Sequence, residues 1–207
     1  MVPAFQALGL AIYALFFFYV FDIRRKDGME PIVRETWTTV MKLLSIMLLG
    51  LYGALLINAQ DVCGLDWLSL VPAAVGAGLV AAAKITLGRW HTWVGYHKRD
   101  TVIVQHGIYS RIRHPLYTGI FLYEFGVILY LARRATHAQT PSWIVLLVAA
   151  AFLYLMTFNI TMAMRESREM ERKFGDAFRE YQSRVRAFIP FNRGASTAPA
   201  AVERSAP

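Results

Sequence analysis

"WIVLLVAAAFLYLMTFNITMAM", Trp143 to Met164, carries no charged side chain and runs directly into "RESREMERKFG". A helix rises about 1.5 Å per residue, so about 20 apolar residues cross the ~30 Å hydrocarbon core of a bilayer. The stretch therefore predicts a transmembrane helix. No breaker appears before Gly175, so the helix is expected to leave the bilayer and continue to about Lys173. Gly175 is expected to stop it, and Asp176 to cap a following helix.

Upstream, four more runs have the same character: Ala4–Phe21, Val40–Ala59, Leu65–Ala83 and Leu116–Ala132. The chain has 207 residues, 56% hydrophobic and 17% charged, with a mean hydropathy of +0.38. Such values place it in the membrane class. The first run lacks a basic leader region and a small-x-small cleavage site before "DIRRKDG", so it is read as a retained span rather than a signal peptide. The expectation is an all-α, polytopic integral membrane protein with about five transmembrane helices. One domain is expected over 1–191, its catalytic half over about 84–191.

The formal charge of +8 invites a nucleic-acid reading, but the distribution argues otherwise. Arg24, Arg25, Lys26, Arg34 and Lys42 precede or open the second run, and no Lys or Arg lies between the second and third. Lys84, Arg89, Lys98, Arg99, Arg111 and Arg113 follow the third; only Arg133 and Arg134 separate the fourth from the fifth. The rest lie between Arg165 and Arg204. Alternate connections are basic, the signature of positive-inside topology. The N-terminus is expected outside, and the C-terminus in the cytoplasm, in a cytoplasmic or inner membrane. No groove-entering or base-stacking module is visible, so no nucleic-acid partner is expected.

Phe178, Tyr181 and Val185 share one face of the segment after Gly175, predicting a cytoplasmic interfacial helix. "FIPF", Phe188 to Phe191, is expected to pack back or dip into the membrane. The tail over 192–207 is small, polar and Pro-containing, hence read as disordered. In the third run, Ala73, Ala77 and Ala81 repeat every four residues beside Gly76 and Gly78. Small residues at that interval let helices approach closely in lipid. "GAG" there has neither a preceding strand nor a following turn, so it is not a dinucleotide fingerprint. Cys63, the only cysteine, excludes an internal disulfide.

The chemistry-bearing residues cluster at the threshold of the fourth run, "VQHGIYSRIRHPLYTG". Pro115 suits the first turn of a helix, preceded by His114. The helix N-terminus, with Arg111 and Arg113 just before it, predicts an anion site at the membrane surface. Gly107 and Gly119 would allow close backbone approach, and Tyr109 and Tyr117 would supply flat walls. A short outer loop joins the fourth and fifth runs, so Glu166 should lie near this threshold, to bind ligand or to pair Arg113. Glu124, a carboxylate inside a span, is a functional candidate by default, facing a cavity or pairing an arginine. His91, His97, His106, His114 and His137 show no metal-binding spacing, and no metal is expected. No serine sits in a nucleophile elbow.

These segments resemble the isoprenylcysteine carboxyl methyltransferase family and related membrane phospholipid methyltransferases. The likeness rests on "KITLGRWHTW" (Lys84–Trp93), "HGIYSRIRHPLYTGIFLYEFG" (His106–Gly126) and "ESREMERKFGDAFREYQSRVRAFIP" (Glu166–Pro190). The resemblance implies S-adenosylmethionine as cofactor and an acceptor that arrives through the bilayer. It implies that Gln105, His106, Gly107, Ile108 and Tyr109 line the cofactor, with His114, Pro115, Tyr117 and Gly119 near its amino-acid part. Arg113, near that part, and Glu166, closing the polar end of the pocket, would be the catalytic residues. Trp90 and Trp93 would line the lipid-facing cavity or anchor the interface. Glu124 is read from its place in the span as a further substrate-binding candidate. Two departures stand out: Glu166-Ser167 where the family often has paired glutamates, and Lys84 where an arginine is common. The acceptor stays open between an isoprenylcysteine carboxylate, a phospholipid amine and a small thiol. A membrane lipid reductase and a non-catalytic membrane protein are the rival readings.

Overall fold

In the computed structural model, residues 1–21, 29–31, 33–92, 96–98 and 100–190 are described. Asp22, the basic run Arg24 to Lys26 and the tail over 192–207 lie outside them. Five long helices are present, each long and apolar enough to cross a membrane. They are α1 (Val2–Val20), α2 (Glu35–Ile57), α3 (Gly64–Leu87), α4 (Pro115–His137) and α5 (Ser142–Phe174), followed by the short α6 (Asp176–Arg184). The protein is thus an all-α polytopic membrane protein. In a bilayer only such helices satisfy their own backbone groups along an open chain. A small departure from pure helix is one antiparallel pairing, β1 (Met29–Pro31) with β2 (Tyr96–Lys98), in register Met29 to Lys98.

The ends follow local chemistry. Pro115 opens α4 as expected, and the Cys63 N–H donates to Asp66 Oδ2 at 2.8 Å to close a capping box on α3. Gly175 ends α5 with φ +52°, a conformation side chains disfavour. It also occupies the cap position of α6. The expected cap, Asp176, is instead the first residue inside α6, where its carboxylate bonds Arg179 at 2.7 Å.

The most extensive packing is α3 on α4, and it explains the small residues. Ala73 and Ala77 are fully buried. A Cβ on Gly119 would stand 2.7 Å from the Gly76 carbonyl oxygen, and one on Gly126 would stand 2.5 Å from that of Ser69. Gly78 faces open space and takes no part. Beside this seam, Phe16 of α1 stacks flat on Tyr123 of α4, centroids 3.5 Å apart. Tyr130 Oη donates to the Leu55 carbonyl at 3.0 Å.

Arg133 and Arg134 sit inside α4, which runs beyond the expected span to His137. Asp61, between α2 and α3, receives Arg133 Nη2 at 2.5 Å and Arg134 Nη1 at 2.7 Å. The wholly buried Asp66 lies 3.5 Å from Arg133 Nε. These arginines hold the Asp61 carboxyl down at about 2, led by the Arg133 hydrogen bond, against partial desolvation. The Asp61 carboxylate is half exposed, and solvent screening there limits what the pairing contributes to global stability. Asp61→Ala is therefore expected to speed amide hydrogen exchange across residues 58–63 with little change in Tm. Unchanged exchange there would show that the clamp does not hold the connection.

Candidate functional site

The start of α4 and the C-terminal part of α5 converge, and hydrogen bonds fix the meeting. Tyr117 Oη donates to Glu166 Oε1 at 2.5 Å. His114 Nε2 lies 2.8 Å from Ser167 Oγ. The segment after α6 then ties the tip of α4 from the other side. The backbone N–H groups of Arg113 and His114 donate to the Arg186 and Ala187 carbonyls, both at 2.9 Å. These two N–H groups just upstream of the helix are therefore spent on the fold.

Around this junction opens a cavity of about 410 Å³, within the ~300–1,000 Å³ range of small-molecule sites. Tyr109, Arg113, His114, Tyr117, Glu166 and Trp90 line it, all of them singled out by sequence. The Arg113 guanidinium is pressed below its ordinary range by burial, with the Tyr181 phenol opposing. Its Nε is buried and has no hydrogen-bond partner among the described residues. Arg113 and Glu166 do not pair: the carboxylate is held by Tyr117, and 26% of the Glu166 side chain stays exposed. One cavity thus holds an incompletely satisfied guanidinium and a carboxylate that keeps lone pairs to offer.

His114 is nearly enclosed, and desolvation first, then the Arg113 charge, lowers its imidazole from 6.5 to about 3. The 3.9 Å approach of His114 Nδ1 to Glu166 is therefore not an ion pair at neutral pH. The unfolded chain takes up the proton more readily than the folded one. His114 thus contributes stability fully above pH 6.5, and that contribution is lost as pH falls from 6.5 toward 3. His114→Asn is expected to flatten the Tm profile in that window. An unchanged slope would mean that other groups carry it.

Other expected residues lie elsewhere. Gln105, His106 and Gly107 are exposed outside the cavity wall, and Gln105 Oε1 accepts from Arg184 Nη2 at 3.1 Å. Ile108 packs with Ala83 and Val104, beneath the wall. Pro115 is buried in the α4 start. Gly119 is a correction: it belongs to the α3 seam, where backbone atoms fill the space a ligand would need. Glu124 lines a second cavity, not this one. Trp93 lies outside the described residues.

Sequence reading missed part of the wall. Thr101 to Val104 form one side, and Phe178 and Tyr181 close the top. The apolar face of α6 exists as expected, but it turns onto Ile103, Met170 and Phe174 of the protein. Tyr181 Oη anchors it by donating to the Tyr109 carbonyl at 2.6 Å. Phe188 packs back against His114, centroids 5.7 Å apart. The short apolar run "VIV", Val102 to Val104, is the available signal, and without knowing where α6 docks it reads as an ordinary connection.

Residues 66–177, just over half of the chain, match the phospholipid methyltransferase family. Two rice proteins, each described as a "Probable protein-S-isoprenylcysteine O-methyltransferase", from Oryza sativa subsp. indica and subsp. japonica, are each 26% identical to the chain over 128 residues. The matched stretch covers 61% of this chain and 61% of each of theirs.

Proposed function

The chain belongs to the phospholipid methyltransferase family, and from that premise we propose that it is an S-adenosylmethionine-dependent membrane methyltransferase whose acceptor is lipid-like or a small hydrophobic molecule. The observation that carries this reading is the cavity at the tips of α4 and α5, with Arg113 and Glu166 in one wall and unpaired with each other. The cofactor is an amino acid with a carboxylate, an ammonium and a positively charged sulfur. Arg113 fits the carboxylate, because its buried Nε lacks a partner. Glu166 fits the positive groups, with Tyr117 fixing the rotamer. Tyr109, Trp90 and Phe178 offer flat apolar walls for a base.

When bound, the cofactor supplies a methyl on a sulfonium, which leaves as a neutral thioether once an acceptor lone pair takes the methyl. What the chain adds is alignment and exclusion of water, which account for much of the help such a displacement needs. A carboxylate acceptor arrives ionised and needs no base. For an amine or thiol, Glu166 is the group to take the proton, since burial makes His114 a weak base and its Nε2 is bonded to Ser167.

The alternation of basic loops supports a cavity on the cytoplasmic side, with the N-terminus outside. Cys63 tests this: a membrane-impermeant maleimide is expected to label intact cells or right-side-out vesicles. Labelling only after permeabilisation would reverse the orientation. The function itself is tested by incubating purified protein with methyl-labelled S-adenosylmethionine and total lipid extract. A labelled lipid product is expected. Cofactor binding without any labelled product would remove the enzymatic reading.

A further inference from the structure

A second cavity of about 330 Å³ lies between the long helices, lined by Phe16, Leu49, Lys84, Phe152, Asn159 and Glu124 among others. Its wall is otherwise mostly hydrocarbon and aromatic. It adjoins the first cavity, because Leu116 and His91 line both. Glu124 is only 9% exposed, and its Oε2 is buried without a hydrogen-bond partner among the described residues. A carboxyl in that state costs stability, which a sequence under no other demand would recover with leucine.

Its depth follows from the α3–α4 seam. A Cβ on Gly76 would strike the Tyr123 backbone, so Glu124 sits level with that part of α3. Lys84, in the last turn of α3, is eight residues nearer the inner end, or about 12 Å by helix rise. The carboxyl is thus well inside an apolar chamber whose mouth opens beside the first cavity, with Val127 one turn deeper.

We infer that this chamber receives the apolar body of the methyl acceptor, and that Glu124 accepts a hydrogen bond from a hydroxyl or amine carried on that body. Naming the ligand as the acceptor rests on the methyltransferase reading; the binding chemistry does not. A bare hydrocarbon would leave the carboxyl dry and unpaired. A carboxylate ligand would put two carboxyl groups into one low-dielectric space, where one of them would have to stay protonated. An O–H or N–H donor satisfies it. Glu124 is then a specificity-determining residue, not a catalytic one.

The test uses the full chain in lipid nanodiscs, titrated with tritium-labelled 1-dodecanol and 1-dodecylamine. Dodecane and laurate serve as competitors, and Glu124→Leu and Glu124→Gln as variants. Wild type is expected to hold the alcohol or the amine at least about tenfold more tightly than Glu124→Leu does, with dodecane and laurate displacing it poorly. Glu124→Leu is expected to keep or raise Tm, which separates lost recognition from lost folding. Equal binding of all four molecules, or binding indifferent to residue 124, overturns the inference; a water-filled chamber would give that result. Calorimetry with S-adenosylmethionine on the same samples separates the two readings. Cofactor binding with no dependence on Glu124 defeats this inference alone. Glu124-dependent capture of the alcohol or amine without cofactor binding defeats the methyltransferase reading alone.

Discussion

Glu166→Gln is expected to weaken S-adenosylmethionine binding by about 10- to 100-fold while leaving Tm close to wild type. The substitution keeps the shape of the side chain and an oxygen for the Tyr117 hydroxyl, now 2.5 Å from Glu166 Oε1. It removes the negative charge. Hydrogen bonds to charged groups contribute about 1.5–3 kcal/mol, and each 1.4 kcal/mol is a factor of ten. Arg113→Ala should act to a similar extent from the opposite sign of charge. Arg113→Lys should recover part of the loss, because charge returns without the planar fork. Affinity unchanged in Glu166→Gln, read by calorimetry in detergent, would take Glu166 out of the cofactor site.

Gly119→Val should be more damaging to the fold than any change in the cavity. The first added carbon would stand 2.7 Å from the Gly76 carbonyl oxygen and 2.9 Å from the Val80 backbone nitrogen. Neither atom can swing aside, so α3 and α4 must separate along their seam. Overpacking usually costs about 1–3 kcal/mol, and backbone contacts on both sides put this case at about 3 kcal/mol or more. Loss of monodisperse protein, or a fall in Tm of many degrees, is the expected readout. Gly78→Ala is the control: a glycine on the facing helix α3, but with open space beyond. It should behave as wild type. Equal tolerance of both substitutions would mean that the seam is looser than its backbone distances indicate.

The membrane helices were legible because lipid imposes a length and composition on them that few other pressures imitate. The end of α5 was legible for a different reason: nothing breaks the helix before Gly175, and the helix does end there. The meeting of Glu166 with the start of α4 followed from a short outer connection between two antiparallel rods. What it would touch there did not follow. The sequence offered a ligand or a pairing with Arg113, and the structure gives instead the Tyr117 phenol, four residues further on.

Gly119 shows the converse. A glycine beside a polar motif suggests room for a ligand, yet it provides room for Gly76 across the seam. Sequence periodicity identified the α3 side of that contact through Ala73 and Ala77, but one helix's small residues do not say which partner's they meet. The docking of α6 was hidden for the same reason. Its amphipathic face predicts burial against something apolar, and lipid and protein satisfy that demand equally well. Glu124 was flagged as a charge inside a span, and its lack of a partner is a property of five helices together.

The most direct measurement is a calorimetric titration of the purified full chain, in nanodiscs, with S-adenosylmethionine. One saturable site per chain is expected, weakened by about tenfold or more in Glu166→Gln and in Arg113→Ala and preserved in Gly78→Ala. No heat of binding in folded wild-type protein, or equal affinity in all four proteins, would contradict a cofactor chamber at the inner tips of α4 and α5.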